Sequence, residues 1–286
     1  MRKLLIAIIG VTIAVLSQAH KPSEDFLQKI QGLNDKAEKG DAGALYELAR
    51  LYDIGFEDIP IDSAKSSILY RRAAEMGYNP ARNYLGFRYY KGEFLKQNTD
   101  SALYWIRLAA ENGDITAAAN LAYLLTEGEP EIKDEEEALK WLQKAAEAGI
   151  MQPQIKYSGI MEQRWQQLPP DSLVTKGINY YIGKAPIVGI VMINIAAEKG
   201  SSKALAILGD AYSKGRGVPY DNSKALEYFH EAAIAGNPSA QFIIAELLEF
   251  FPDILETYPA VYWYEKAAEE GVTDSERAYQ LLFSYP

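Results

Sequence analysis

Side chains that could act on a substrate are few in this sequence of 286 residues. Histidine occurs twice, at His20 and His230, and cysteine is absent. A zinc site needs three or four His, Cys or carboxylate ligands brought to one point, and nothing near His20 supplies them. His230 stands between Phe229 and Glu231 in a helical pattern, which reads as a partly exposed helix residue and not as a catalytic base. No Ser–His–acid spacing and no phosphate-cradling glycine loop of the usual form is present. Gly215-Arg216-Gly217 has the glycines of such a loop but follows no strand pattern. Carboxylates are plentiful. Asp134, Glu135, Glu136 and Glu137 run together at a helix start, where negative charge complements the helix dipole. Asp210, Glu246 and Glu249 fall on helices and could draw a basic segment or a divalent cation, or form a solvated face. The residue types point to binding, with no enzyme activity, no metal and no cofactor implied.

The elements that position these residues repeat. Glycines at 40, 77, 113, 149, 200, 236 and 271 are spaced by 37, 36, 36, 51, 36 and 35 residues. Self-similarity at such a period is the signature of a solenoid of helical hairpins. Each glycine closes a segment ending AEKG, AEMG, AENG, AEAG, AEKG, AIAG or AEEG, as a left-handed helix stop requires. Alanine pairs such as Ala73-Ala74 and Ala232-Ala233 leave shallow surface for a neighbouring helix. Leu69, Trp105, Trp141, Met192, Tyr228 and Trp263, four before each pair, fill the space between helices. In the first helix of each hairpin an apolar residue precedes a small one: Leu48-Ala49, Leu85-Gly86, Leu121-Ala122, Leu208-Gly209 and Ile244-Ala245.

The stretch 203–236 carries the fullest copy, with Ala204, Leu208, Gly209, Tyr212, Gly215, Gly217, Val218, Asp221, Lys224, Ala225 and Gly236. It resembles the Sel-one-like repeat family, a relative of the tetratricopeptide repeats, and the resemblance covers residues 24–286. The resemblance implies an all-α, right-handed superhelical solenoid of about six helix-hairpin repeats with N- and C-terminal capping helices. It also implies adaptor roles, including bacterial envelope proteins. First helices are expected to begin near residues 41, 79, 114, 202 and 238, and second helices near 62, 98, 134, 221 and 257. Asp62, Asn98, Asp134 and Asp221 are placed to cap helix starts, and Pro80 and Pro238 sit where a first turn tolerates proline. Phe26, Leu27, Ile30 and Leu33 share one face of a helix over 24–39, and Ala278, Leu281 and Leu282 mark a closing helix over 274–282. The region 150–200 diverges. It reads as a first helix over 152–166 with Gln154 in place of the early alanine. A connection over LPPDSLVTKGINYYIGKAP follows, emerging as a loop that serves function or merely bends the array.

In tetratricopeptide-like stacks the first helix of each hairpin lines a concave groove. Taking Leu-small as the buried step, residues two before, two after and five after the Leu point inward. The resulting partner-binding candidates are Tyr46, Arg50, Asn83, Phe87, Tyr90 and Tyr123, with Asp53, Ala119, Thr126, Asp210 and Glu249 at the same positions elsewhere. Aromatic residues and arginine are what interfaces favour; equally, a chain with 20 tyrosines uses many for ordinary packing.

Arg2 and Lys3 precede an apolar run from Leu4 to Leu16, then Ser17 and Ala19. That layout is a secretory signal peptide over 1–19, cleaved after Ala19, with the solenoid over 20–286; an uncleaved anchor is the alternative. The formal charge of −10 becomes −12 without Arg2 and Lys3, which disfavours a nucleic-acid or anionic membrane partner. The expected function is a periplasmic or secreted scaffold holding a protein or peptide in the groove, without catalysis and without stable membrane insertion. The alternative is a cell-wall or glycan-directed protein, either a carbohydrate-binding module or a hydrolase. The missing cysteines and nucleophile motif set the chain apart from the relatives linked to penicillin binding.

Overall fold

The computed structural model describes residues 24–55, 59–254 and 258–273, and every regular element among them is helical. The expected signal segment 1–19, His20 and the expected closing helix 274–282 lie outside the described residues. The chain divides into two compact units, residues 1–134 and 135–286.

The first unit holds α1 (Glu24–Glu38), α2 (Ala42–Ile54), α3 (Ser63–Glu75), α4 (Asn79–Lys91), α5 (Thr99–Glu111), α6 (Ile115–Glu127) and a 3-10 turn at Pro130–Ile132. Helix α1 packs on α2, α2 pairs with α3, α4 pairs with α5, and α4 also touches α6. Short polar residues start these helices. Asp41 accepts from Ala44 N at 3.0 Å, Asp62 from Lys65 N at 2.9 Å, Asn98 from Ser101 N at 2.8 Å and Asp114 from Ala117 N at 2.8 Å. Each cap contributes about 1 kcal/mol. Leu48, Ala49, Leu85, Gly86, Leu121 and Ala122 are all buried, as the register requires. Gly86 lets α4 and α5 approach closely: a Cβ there would meet Ala102 O at 2.9 Å. On α1, Leu27 is solvent-exposed, so it does not join the sealing face expected of it; Leu33 packs on the core instead.

The second unit holds α7 (Glu135–Glu147), α8 (Met151–Trp165), α9 (Pro170–Ile182), α10 (Pro186–Glu198), α11 (Ser202–Lys214), α12 (Asn222–Ile234), α13 (Pro238–Phe250) and α14 (Ala260–Glu269). The diverged region departs from the expected loop. Residues 170–182 are a helix, and α9 forms a hairpin with α10 through a short turn. The residue pattern explains it: Pro170 opens the first turn, and Leu173, Val174, Gly177 and Tyr181 recur on one buried face. Gly177 and Gly189 make the crossing possible, since a Cβ at Gly189 would meet Gly177 O at 2.6 Å. Helix α8 is then the added element, packing against α7 and α10. Its 15 residues equal the excess in the long glycine spacing. Gln154, buried on α8, donates to Lys184 O at 3.0 Å and accepts from Ile187 N at 3.1 Å, so it clamps the α9–α10 turn. All seven helix-ending glycines named above have φ between 82° and 97°, the left-handed stop read from their spacing.

Candidate partner-binding face of the first unit

The expected site residues fall on α2, α4 and α6, three successive first helices of one unit. Asn120 Nδ2 donates to Asn83 Oδ1 at 3.0 Å, which pins α6 to α4 and fixes the spacing of what they carry. Four residues along α4, Phe87 meets Tyr90 edge-on at 6.4 Å between ring centroids, and Lys91 Nζ stands 5.8 Å from the Phe87 ring. On α6, Tyr123 is 54% exposed and is the most open aromatic of the set. An exposed ring and a half-buried ring pair on touching helices give apolar area at small entropic cost on binding, the composition of interface anchors.

Tyr46 and Arg50 behave differently. The Tyr46 ring lies 5.5 Å from Tyr70 and 5.3 Å from Tyr78, inside the packing between α2, α3 and the start of α4. Burial pushes its hydroxyl above the ordinary tyrosine pKa, and the nearby Arg50 charge opposes that shift. Arg50 is exposed and pairs with Glu47 on its own helix at 3.6 Å. Among the described residues no ring contact or hydrogen bond joins Tyr46 or Arg50 to Phe87, Tyr90 or Tyr123. The structure thus groups Asn83, Phe87, Tyr90 and Tyr123 on adjoining helices and gives Tyr46 a packing role.

Asp53 does not face a groove. Its side chain is 10% exposed and pairs with Arg88, whose side chain is 3% exposed. Arg88 also donates to Ser67 Oγ at 2.9 Å and Ser66 Oγ at 3.2 Å, while Tyr84 OH donates to Asp53 Oδ2. The guanidinium lies between the rings of Tyr70, Tyr84 and Phe94, at 5.2, 5.2 and 4.9 Å. Burial lowers its pKa and Glu93 opposes the change; arginine remains charged regardless. Arg88 and Asn120 were not among the expected residues. Arg88 had a signal in the sequence, because it stands where the other repeats carry Leu51, Leu124, Ala211 and Leu247.

Among the described residues there is no group of three or more His, Cys, Asp or Glu placed to hold a metal, and no helix long and apolar enough to cross a membrane. The Sel1 repeat pattern matches residues 42–78, 79–114, 115–150, 202–237 and 252–272. Chitin synthase regulatory factor 4 of Schizosaccharomyces pombe is 31% identical over 112 residues, which is 37% of this chain and 17% of that protein. The ERAD-associated E3 ubiquitin-protein ligase component HRD3 of Candida glabrata is 33% identical over 85 residues, 29% of this chain and 10% of the relative. The chain thus spans less than a fifth of either relative's length. Among solved structures, a protective antigen of uropathogenic Escherichia coli with an SLR fold is 29% identical, with TM-score 0.43, covering 90% of this chain and 59% of that one. A Sel1 repeat protein from Oxalobacter formigenes is 23% identical, with TM-score 0.40, covering 86% and 77%. With the repeat pattern matching more than half of its residues, the chain belongs to the Sel1 repeat family.

Proposed function

We propose that this protein is an exported, non-catalytic scaffold that holds a protein or peptide on the first-helix face of residues 42–127. The observation that carries this reading is the alignment of Phe87, Tyr90 and Tyr123 on two helices pinned by the Asn83–Asn120 bond. Arg50 extends the face on the preceding helix as an exposed charge, while Tyr46 packs against Tyr70 and Tyr78. Two relatives support the class of role: one is by name a regulatory factor and the other a component of a ligase assembly. Export rests on the charged and apolar pattern of residues 1–16, which places the protein in the periplasm or outside the cell. N-terminal sequencing of the mature protein tests that step, with His20 as the expected first residue.

Affinity capture with residues 20–286 as bait, beside a bait carrying Phe87→Ala and Tyr123→Ala, tests the face. A protein retained by the first bait and lost by the second, with equal helical circular dichroism, is the expected result. Equal retention by both baits would remove this face from the binding role.

A further inference from the structure

The second unit carries a cavity of about 690 Å³, open to solvent, between α7, α8, α9 and α10. It exists because of the added helix α8, which contributes Tyr157, Met161 and Trp165 to its wall. Met192 of α10 and Tyr180 of α9 complete the apolar lining. The volume lies in the range of small-molecule sites, about 300–1,000 Å³, which are mostly apolar and carry a few placed polar groups. Tyr157 and Trp165 are buried and meet edge-on at 5.8 Å, so this wall is formed without a ligand.

Charge at the mouth selects the ligand. Lys176 and Lys184 line the cavity, both are exposed, and neither has an ion-pair partner among the described residues. The lining carboxylate, Glu147, is engaged at one oxygen: Gln143 Nε2 donates to its Oε1 at 2.9 Å and Tyr180 OH at 3.4 Å. Burial keeps the hydroxyls of Tyr157 and Tyr180 above the ordinary tyrosine pKa. The tyrosine hydroxyls of the wall are neutral at neutral pH, and two lysines outnumber the single carboxylate of Glu147 around the opening, on a protein of net charge −10. A cationic ligand would be repelled by two lysines and attracted by one carboxylate, a net disadvantage. A purely apolar one would leave the lysines unused.

From this geometry we infer a second binding site, separate from the face of the first unit: the cavity takes a small aromatic carboxylate, its ring among Tyr157, Met161, Trp165 and Met192 and its carboxylate at Lys176 and Lys184. A solvent-open pocket of about 690 Å³ walled by four helices has the volume of a small-molecule site. The site is independent of the scaffold reading, since none of its residues lies in the first unit.

The test uses the full chain with ¹³C-methyl-methionine and follows Met161 and Met192, with Met76 of the first unit as internal control. Benzoate, 1-naphthoate and indole-3-acetate are titrated beside indole-3-acetamide and tryptamine. At least one carboxylate should shift Met161 and Met192 saturably and leave Met76 in place, with the amide at least tenfold weaker than indole-3-acetate and the amine weaker still. Lys176→Gln with Lys184→Gln should weaken the carboxylate about tenfold and leave the amide unchanged. Asn179→Trp, an exposed position on the lining, should block every ligand while the circular dichroism stays the same. No saturable shift from any carboxylate, equal affinity for acid, amide and amine, or an undiminished acid affinity in the double lysine variant would each overturn the assignment. So would tighter binding of a peptide bearing Trp and Asp than of indole-3-acetate, since it would make a chain the occupant.

Discussion

One repeat position is filled in two ways. On α4 of the first unit it is Arg88, buried and paired with Asp53 of α2. On α11 and α13 of the second unit it is Ala211 and Leu247, and Ala211 is fully buried. The same helix-hairpin backbone thus accepts either an apolar side chain or a charge whose counter-ion comes from the preceding hairpin. The second unit also has a carboxylate in an ion pair, Asp210 with Lys214 at 2.5 Å, but the pair lies four apart on one helix with side chains 37% and 64% exposed. A pair within one helix fixes nothing between repeats. The Arg88–Asp53 pair, with Ser66 and Ser67 of α3, specifies how the hairpin of α2 and α3 meets that of α4.

The largest expected effect comes from breaking this pair on one side. Asp53→Asn leaves Arg88 buried without a counter-ion and should cost about 3–5 kcal/mol, the range for removing one partner of a buried pair. Arg88→Leu combined with Asp53→Ser restores the residue type of the other repeats and should recover most of that loss. Denaturant unfolding read by hydrogen exchange in α2, α3 and α4 measures both, because a repeat array need not unfold in one step. A double variant as unstable as Asp53→Asn would mean that the ion pair is more than a substitute for leucine.

The two kinds of interior differ in how far they could be read from sequence. Periodicity gave the helix pairs, the capping aspartates and the glycine stops, because each is a local requirement of one turn of chain. Arg88 drew no reading from the sequence, since arginine is usually found at the surface. Its burial depends on Asp53, 35 residues earlier, and only comparison between repeats marks it as out of place. Helix α9 was hidden by its own punctuation. Pro169, Pro170, Gly177 and Gly183 look like loop signals, yet Pro170 starts the helix and Gly177 supplies the close crossing with Gly189. At the candidate face, one register named Tyr46 together with Phe87, Tyr90 and Tyr123. The packing of Tyr46 was not legible there, because the rings that cover it, Tyr70 and Tyr78, come from other parts of the fold.

The turns after these first helices sharpen the contrast. Gly217 in the second unit has φ 78°, and at the matching position of the first unit Phe94 has φ 59°. Phe94 is tolerated because its ring, 63% exposed, extends outward over Arg88. At Gly217 a Cβ would meet the backbone of Pro186 at 2.9 Å, so the second unit presses its turn against α10 and demands glycine. Gly217→Ala should therefore cost about 2 kcal/mol, the left-handed penalty plus overpacking, with lost exchange protection in α10 and α11. Phe94→Gly should change stability by less than about 1 kcal/mol, since relief of the left-handed backbone offsets the lost ring contact. Similar losses at both sites would show that backbone conformation, and not the approach of Pro186, decides the residue at this turn.

The smallest effect is expected where the carboxylate is exposed. Asp210→Asn repeats the Asp53→Asn change in the second unit and should cost less than about 1 kcal/mol, since exposed pairs contribute little. Its signature is in titration. Tyr181 OH donates to Asp210 Oδ2 at 2.9 Å, and burial, with this bond and the carboxylate charge, raises the Tyr181 pKa to about 12. A tyrosine whose folded pKa is raised stabilises fully below the unfolded value of about 10 and loses that contribution as pH rises through the folded value. Asparagine removes the charge and moves Tyr181 back toward the ordinary value, so the stability curve above about pH 10 should fall less steeply than in the parent. A ¹³C-tyrosine titration read beside alkaline unfolding checks both parts. If Asp210→Asn instead destabilised the fold as much as Asp53→Asn at neutral pH, burial would not be what separates the two carboxylates.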